Sequence, residues 1–183
     1  MKILVVVDYQ KDFVDGALGF PGAENLDEKI VNKIQEYLNN GDEVFYTMDT
    51  HRNDYLDTRE GKMLPVPHCI FGTDGWELYG KTGELLKDGV NSFMLIKETF
   101  GCSPMTMESE LFKYREPVES VEFVGLVTNM CVISNVAVFQ ARFPNAQMIV
   151  DPTLCDSFDK EMHQKAIDVM RSMQVKIIAM VLS

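Results

Sequence analysis

Short apolar runs alternate with segments of helical periodicity along the chain, and this alternation restricts the fold more than any other feature. The six runs cover residues 2–7, 43–48, 92–96, 121–126, 146–150 and 175–180. Each has the length and composition of a strand that is buried on both faces. Strands that alternate with helices predict a parallel sheet built from right-handed crossovers. We therefore expect an α/β fold with a six-stranded parallel sheet and helices on both of its faces.

Helical periodicity is clearest in segments that follow these runs. Apolar residues repeat at helical spacing over residues 26–38 and 159–173, and a shorter helix is predicted over 104–113. A further helix is predicted to begin at or next to Cys131 and to end before Pro144. Helices therefore lie between the predicted strands, as the parallel sheet requires.

Composition indicates one globular domain and disfavours two classes of partner. The chain has 183 residues, 46% of them hydrophobic, and shows no repeat or linker, so we predict a single domain over residues 1–183. A formal net charge of −11 would repel nucleic acid and anionic membranes. No signal peptide or membrane span is evident, and the four cysteines form no CxxC pair. We expect reduced thiols and a cytoplasmic protein.

Reactive side chains follow four of the predicted strands. Asp8, Asp49 and Lys97 come directly after a strand, and Cys131 lies in the turn after residues 121–126. Ligands bind parallel sheets beyond the carboxyl ends of the strands, so these side chains are expected to converge at one edge. A carboxylate can take the proton of a thiol and later deliver it to a leaving amine. A nearby lysine lowers the pKa of the thiol.

The turn at Cys131 offers a second argument for nucleophilic catalysis. A cysteine at the start of a helix lies at the positive end of the helix dipole, which favours the thiolate and lowers the pKa. The backbone N–H groups of the same turn lack helical partners, so they can hold an oxyanion. The alternative is that Cys131 is a small buried core residue, as free cysteines usually are.

A second group of side chains suits a metal ion. Asp49 and His51 lie on one side of a turn after a strand, and His68 follows later in the chain. Two imidazoles and a carboxylate leave coordination positions open, as catalytic metal sites do. Glu60 lies between the two histidines in sequence and is a candidate fourth ligand. The alternative is that the histidines only form hydrogen bonds, and we assign that structural or solvated role to His163.

Several other enzyme classes fail on spacing. The phosphatase pattern requires an arginine six residues after Cys69, where this chain has Gly75. No Gly-x-Gly-x-x-Gly segment follows a strand, and no Walker glycine loop is present. The segment from Asp8 to Gln10 lacks the second aspartate of haloacid-dehalogenase-type phosphotransferases.

Taken together, these residues resemble the isochorismatase-like cysteine hydrolases, and most closely the nicotinamidases among them. The matching pieces span nearly the whole chain in the family's order: Asp8-x-Gln10-x-Asp12-Phe13 with Gly16 and Leu18, Asp49-x-His51, Pro67-His68, Lys97, and Gly125-Leu-Val-Thr128-Asn-Met-Cys131-Val132. The resemblance implies a three-layer α/β/α sandwich with a six-stranded parallel sheet. It also implies a catalytic triad of Asp8, Lys97 and Cys131.

The resemblance also implies a bound cofactor. A divalent metal ion would be held by Asp49, His51 and His68 and would bind the pyridine nitrogen of the substrate, whereas Glu60 is a candidate ligand only from its position in the sequence. Zinc is the first expectation, with iron and manganese as the alternatives.

Substrate contacts and an oxyanion hole follow from the same resemblance. Family members carry a non-proline cis peptide before the position that matches Val127. This bond would turn the N–H groups of Val127 and Cys131 toward the oxyanion. Phe13 matches an aromatic residue of the substrate pocket, and Leu18 is expected beside it.

The function expected from this resemblance is hydrolysis of nicotinamide to nicotinate and ammonia through a thioester on Cys131, by a homo-oligomer. Another small-amide hydrolase, acting on a ureido or carbamoyl compound, is one alternative. A non-catalytic protein that binds a metal or a ligand is another. Isochorismatases proper lack the cysteine, so Cys131 counts against their ether cleavage.

Overall fold

The computed structural model describes residues 1–87, 91–111 and 117–178, and these residues contain one six-stranded parallel sheet. The strands are β1 (Lys2–Val7), β2 (Glu43–Asp49), β3 (Ser92–Lys97), β4 (Ser120–Leu126), β5 (Gln147–Asp156) and β6 (Lys176–Ile177). Their order across the sheet is β3-β2-β1-β4-β5-β6. All five neighbouring pairs are parallel. The predicted sheet is confirmed.

Helices connect the strands and cover the sheet. They are α1 (Lys11–Val14), α2 (Asp27–Asn39), α3 (Arg59–Met63), α4 (Gly80–Lys87), α5 (Pro104–Leu111), α6 (Ile133–Arg142) and α7 (Lys160–Ser172). The predicted helices over 26–38 and 159–173 correspond to α2 and α7. The end of the helix predicted over 104–113 lies outside the described residues. None of the described helices is long and apolar enough to cross a lipid bilayer.

The central strand β1 separates two apolar clusters. Val5 and Val7 pack in a cluster that includes residues of α5, α6 and α7. Leu4 and Val6 point to the opposite face and pack with residues of α2. All four side chains are fully buried, as their position in the middle of three layers requires. The fold is therefore the expected three-layer α/β/α sandwich.

Strand β5 is longer than the predicted run of residues 146–150. Its register against β4 shifts between Phe123, which pairs with Val150, and Gly125, which pairs with Cys155. Pro152 lies inside this irregular part, where the missing N–H of proline is tolerated because the ladder is already interrupted. The bulge brings Asp156 to the end of the sheet that carries the reactive residues. For β6, residues 179 and 180 of the predicted run lie outside the described residues.

Strand order reverses between β1 and β4, which lie side by side at the centre of the sheet. Gly125 permits this close contact, since a Cβ atom there would lie 2.2 Å from the carbonyl oxygen of Val7. Its φ of +111° is also a conformation that other residues rarely adopt. The carboxyl ends of these two strands are therefore the place where a ligand site is expected.

Candidate active site

Asp8, Lys97 and Cys131 meet at the carboxyl ends of β1, β3 and β4. The ammonium nitrogen of Lys97 lies 2.7 Å from Oδ2 of Asp8 and 3.6 Å from Sγ of Cys131. The three residues are 0%, 2% and 5% exposed, in that order. The convergence predicted from the strand ends is thus present, and the sulfur atom lies within contact distance of Lys97.

The backbone and a neighbouring hydroxyl orient the carboxylate of Asp8. Asp8 has a φ of 44°, in the left-handed region that residues other than glycine rarely occupy. The hydroxyl of Thr47 donates a hydrogen bond of 2.6 Å to Oδ1 and accepts one of 3.1 Å from the N–H of Asp8. Oδ2 is therefore the carboxylate oxygen that faces Lys97.

Lys97 forms ion pairs with two carboxylates at once. Its ammonium nitrogen also lies 2.9 Å from Oδ1 of Asp49. Burial acts to lower the pKa of Lys97, but the charges of Asp8, Cys131 and Asp49 raise this pKa well above its ordinary value. Lys97 therefore stays an ammonium and links the carboxylate of Asp8 to that of Asp49, the predicted metal ligand.

The thiol of Cys131 differs from the expectation of a lowered pKa. Burial raises the pKa of Cys131 well above its ordinary value, the ammonium of Lys97 opposes this rise, and the charges of Asp8 and Asp49 add to it. Burial also raises the pKa of Asp8, although Lys97 limits the increase. Cys131 therefore rests as a thiol, and its activation requires transfer of the proton to a base within the cluster.

Residues Val127–Cys131 form a segment that we call the oxyanion turn. The peptide bond between Leu126 and Val127 is cis, as the sequence resemblance implies. The turn from Thr128 continues as a π-helical segment and leads directly into α6. The carbonyl of Val127 accepts hydrogen bonds from the N–H groups of Met130 (3.1 Å) and Val132 (3.2 Å).

Asn135 holds the oxyanion turn through side-chain hydrogen bonds, a role that the sequence did not indicate. Its side-chain amide donates a hydrogen bond of 2.8 Å to the carbonyl of Cys131 and one of 3.2 Å to the carbonyl of Phe100. Its Oδ1 accepts one of 3.0 Å from the N–H of Cys102. Asn135 lies on α6 and is fully buried. A buried amide with several partners rigidifies the loop that it links.

Asp49, His51 and His68 form a compact buried cluster, which we call the metal group. Ligand atoms of these three residues lie within 4.8 Å of one another. Oδ2 of Asp49 is 3.0 Å from Nε2 of His51 and 3.5 Å from Nε2 of His68. Oε1 of Glu60 is 3.9 Å from both of these nitrogens. The metal group has the composition of a site that could bind a metal ion, and Glu60 lies close beside it.

Hydrogen bonding at His68 supports this interpretation. Nδ1 of His68 lies 2.8 Å from the carbonyl oxygen of Val66, which can only accept, so Nδ1 carries a proton. In the neutral ring, the lone pair of Nε2 then points at the carboxylate of Asp49. Two acceptors at this distance require a cation between them, which is either a proton or a metal ion. Burial acts to lower the pKa of His68, but the hydrogen bonds to Asp49 and Val66 raise it overall.

Surrounding residues hold the metal group in place. The side-chain amide of Gln10 donates a hydrogen bond of 2.9 Å to the carbonyl of Asp49, and Oε1 of Gln10 accepts one of 2.8 Å from the N–H of Asp49. The ring of Tyr55 packs on His51 and His68, with centroids 4.7 and 5.0 Å away. Asp12 accepts a hydrogen bond of 2.7 Å from the N–H that follows His68 in the chain.

A cavity of about 410 Å³ connects the nucleophile with the metal group. Cys131, Asp49 and His68 lie on its wall, as does Glu60. The three predicted substrate contacts, Phe13, Leu18 and Val127, line it too. The ring of Phe13 packs edge-on against His68, with centroids 5.5 Å apart. The same cavity is therefore lined by the thiol residue and by two residues of the metal group.

Residues 2–180 match the sequence model of the isochorismatase domain. The chain belongs to the isochorismatase family. A relative from Bacillus subtilis strain 168, named "uncharacterized isochorismatase family protein PncA", is 31% identical over 173 residues, which cover 91% of this chain and 92% of that protein. This isochorismatase-family protein is therefore a hydrolase.

Solved structures share this fold. A pyrazinamidase/nicotinamidase of Streptococcus mutans UA159 superimposes with a TM-score of 0.85 at 28% identity, over 97% of this chain and 100% of that one. A pyrazinamidase of Pyrococcus horikoshii in complex with zinc has a TM-score of 0.81 at 23% identity, over 97% and 98% of the two chains. The second likeness shows the fold alone.

Four large apolar side chains of the cavity in this isochorismatase-family hydrolase were not predicted as site residues. They are Leu64, Phe100, Met130 and Phe158. Met130 is adjacent to the nucleophile in sequence, which is a signal that could have identified it. The others lie in three separate loops, and only the fold brings these loops together.

Proposed function

We propose that this isochorismatase-family hydrolase is a metal-assisted cysteine amidohydrolase, a nicotinamidase that converts nicotinamide to nicotinate and ammonia. The observation that carries this proposal is the contact of Lys97 with both Asp8 and Cys131, on a cavity that also reaches the metal group. The carboxamide of nicotinamide would lie at the thiol and the pyridine nitrogen at the metal group.

The proposed reaction begins with proton transfer from Cys131 to Asp8. The thiolate attacks the carboxamide carbon, and the resulting tetrahedral intermediate collapses with cleavage of the C–N bond. Asp8 gives its proton to the departing ammonia, which leaves a thioester on Cys131. Water then attacks the thioester with Asp8 as base, and nicotinate and the free thiol are released. Burial raises the pKa of Asp8, which makes its carboxylate a stronger proton acceptor, and Asp8 returns the same proton to the leaving ammonia.

Backbone groups and Lys97 stabilise the charge that develops in these steps. The oxyanion would rest on the N–H groups of Val127 and Cys131, in the oxyanion turn. Loss of one such donor typically costs about 10²- to 10³-fold in kcat. Lys97 keeps the net charge of the cluster balanced while the negative charge moves between Asp8 and Cys131.

Asp49, His51 and His68 would hold a divalent metal ion, with Glu60 as the candidate fourth ligand. A bound ion would supply a Lewis acid for the pyridine nitrogen and would fix the orientation of the ring. The donor set suits zinc first, and iron or manganese as alternatives. The Pyrococcus horikoshii pyrazinamidase, which shares this fold, was solved in complex with zinc.

Ammonia release from nicotinamide tests the proposal. We expect wild type to be active, Cys131→Ala to be inactive, and Cys155→Ala to keep most of its activity as a matched control. Cys155 is also buried, but its thiol donates to the carbonyl of Phe123 in the sheet and takes no part in the site. Activity in Cys131→Ala would refute the nucleophile. A wild type that hydrolyses ureido or carbamoyl compounds and spares nicotinamide would refute the substrate.

Three sequence-based expectations remain predictions. They are a single domain over residues 1–183, a cytoplasmic location and assembly into a homo-oligomer. Sedimentation velocity of the purified protein tests the last of these.

A further inference from the structure

Three segments of the chain meet at the hydroxyl of Thr128, outside the catalytic cavity. Thr128 is 0% exposed and is the residue of the oxyanion turn that follows Val127. Its Oγ1 donates a hydrogen bond of 3.0 Å to the carbonyl of Asp156, at the end of β5. The same oxygen lies 2.8 Å from Nδ1 of His163, on α7.

The hydrogen-bond directions at this junction are determined by its chemistry. A carbonyl oxygen can only accept, so the single hydroxyl proton of Thr128 is used by Asp156. Nδ1 of His163 must therefore donate its proton to Oγ1 of Thr128. Burial lowers the pKa of His163, so near neutral pH the ring is neutral, with its proton on Nδ1. His163 thus acts as a hydrogen-bond donor of fixed orientation.

Helix α7 holds His163 firmly against this junction. Asp159 caps the helix, since its Oδ1 accepts a hydrogen bond of 3.0 Å from the N–H of Met162. Lys160, on the first turn, lies 2.6 Å from Oδ1 of Asp156. The residue that accepts the hydroxyl proton of Thr128 is therefore itself anchored to the helix that carries His163.

We propose that His163 is a positioning residue of the active site, which holds the oxyanion turn in its catalytic geometry through the hydroxyl of Thr128. The inference rests on the proposed function in one respect, that the N–H groups of Val127 and Cys131 stabilise an oxyanion. Thr128 is bonded directly to Val127, so a shift of Thr128 tilts the first of these donors. Catalytic donors must be held to within about 0.5 Å and about 10–20°.

Two substitutions of His163 separate positioning from simple packing. In His163→Asn, the amide N–H takes the place of Nδ1–H, so the hydrogen bond to Thr128 can form. In His163→Gln, the side chain is longer and its amide reaches the place of Nε2 instead. We expect His163→Gln to lower kcat about tenfold with KM within about twofold, because a displaced donor costs less than a deleted one. We expect His163→Asn to keep kcat within about threefold of wild type, by the same argument.

A second pair of variants tests the route of the effect. Thr128→Val removes the hydroxyl at nearly constant volume, whereas Thr128→Ser retains it. We expect Thr128→Val to lose about tenfold in kcat and Thr128→Ser to lose little. If His163 acts through Thr128, the double variant Thr128→Val with His163→Gln loses no more than Thr128→Val alone. Each kcat is calculated per molecule of folded enzyme, and thermal denaturation gives the folded fraction of each variant.

The assay uses two substrates so that the two proposals can fail separately. Nicotinamide tests the proposed function, and 4-nitrophenyl acetate reports acyl transfer to Cys131 whatever the natural amide is. If the variants show the expected kcat losses on the ester while wild type does not hydrolyse nicotinamide, the positioning role of His163 is supported and nicotinamide is refuted as the substrate. His163→Gln within twofold of wild type, equal losses in the Asn and Gln variants, or additive losses in the double variant would overturn the role of His163. A wild type inert toward both compounds would overturn both proposals.

Discussion

Lys97→Met removes the ammonium that lies between two buried carboxylates. Its nitrogen is 2.7 Å from Asp8 and 2.9 Å from Asp49. At an effective dielectric constant of about 20, each attraction amounts to about 6 kcal/mol before desolvation is counted. Methionine fills a similar space without a charge, so the variant tests electrostatics more than packing.

The variant can restore its charge balance by taking up a proton on Asp8. Lys97 limits the burial-induced rise in the pKa of Asp8, so its removal raises that pKa further. An aspartate with an unfolded pKa of about 3.9 costs about 4 kcal/mol to protonate at pH 7, and about 1.5 kcal/mol at pH 5. The folded variant then holds a proton that the unfolded chain has lost, so its stability falls as pH rises. We expect a loss of about 4 kcal/mol relative to wild type at pH 7, consistent with about 3–5 kcal/mol for a broken buried pair.

Urea unfolding followed by circular dichroism, on metal-free protein at pH values of about 5, 6 and 7, measures this loss and its slope. Lys11→Met is the control, because Lys11 pairs with Asp74 at the surface, where such pairs contribute about 0–1 kcal/mol. Amide hydrolysis should fall by about 10²- to 10⁴-fold, since a protonated Asp8 cannot act as base. A loss below about 1 kcal/mol at pH 7, or an equal loss at pH 5, would refute the charge balance assigned to Lys97.

Three further changes test the fold, the metal group and the junction at α7. Gly125→Ala places a Cβ atom 2.2 Å from the carbonyl oxygen of Val7. Gly41→Ala is the control, because its added Cβ meets no atom within 4 Å and only the positive φ costs about 1–3 kcal/mol. In urea unfolding, Gly125→Ala should therefore lose more free energy of unfolding than Gly41→Ala. Zinc at about 100 times its Kd should stabilise wild type by about 2.7 kcal/mol in thermal denaturation, and a similar gain in His68→Ala would contradict the ligand set. The pKa of His163 is lowered in the folded state, so the unfolded chain takes up a proton more readily. Stability is therefore lost as pH falls through about 6.5, the pKa of an unperturbed histidine. His163→Asn should remove this part of the pH dependence of the free energy of unfolding.

The sequence was sufficient to predict that Asp8, Lys97 and Cys131 meet, because parallel topology is a strong constraint. Runs of β-branched residues predict buried strands, and parallel strands carry their carboxyl ends to one edge. Residues that directly follow these runs, such as Asp8 and Lys97, therefore had to be neighbours although they are far apart along the chain. The metal group could be predicted for the same reason, since Asp49 ends β2 and His51 follows it closely in the sequence.

Tertiary structure alone decided the features that depend on loops and on burial. The pKa of Cys131 rises because burial and the charges of Asp8 and Asp49 outweigh the ammonium of Lys97, and the sequence pattern contains no measure of this balance. Asn135 and Thr128 owe their roles to partners in other segments, which local periodicity does not report. Phe100 and Phe158 reach the cavity from separate loops. Local sequence determines strands and their ends, whereas the orientation of loops depends on contacts between distant parts of the chain.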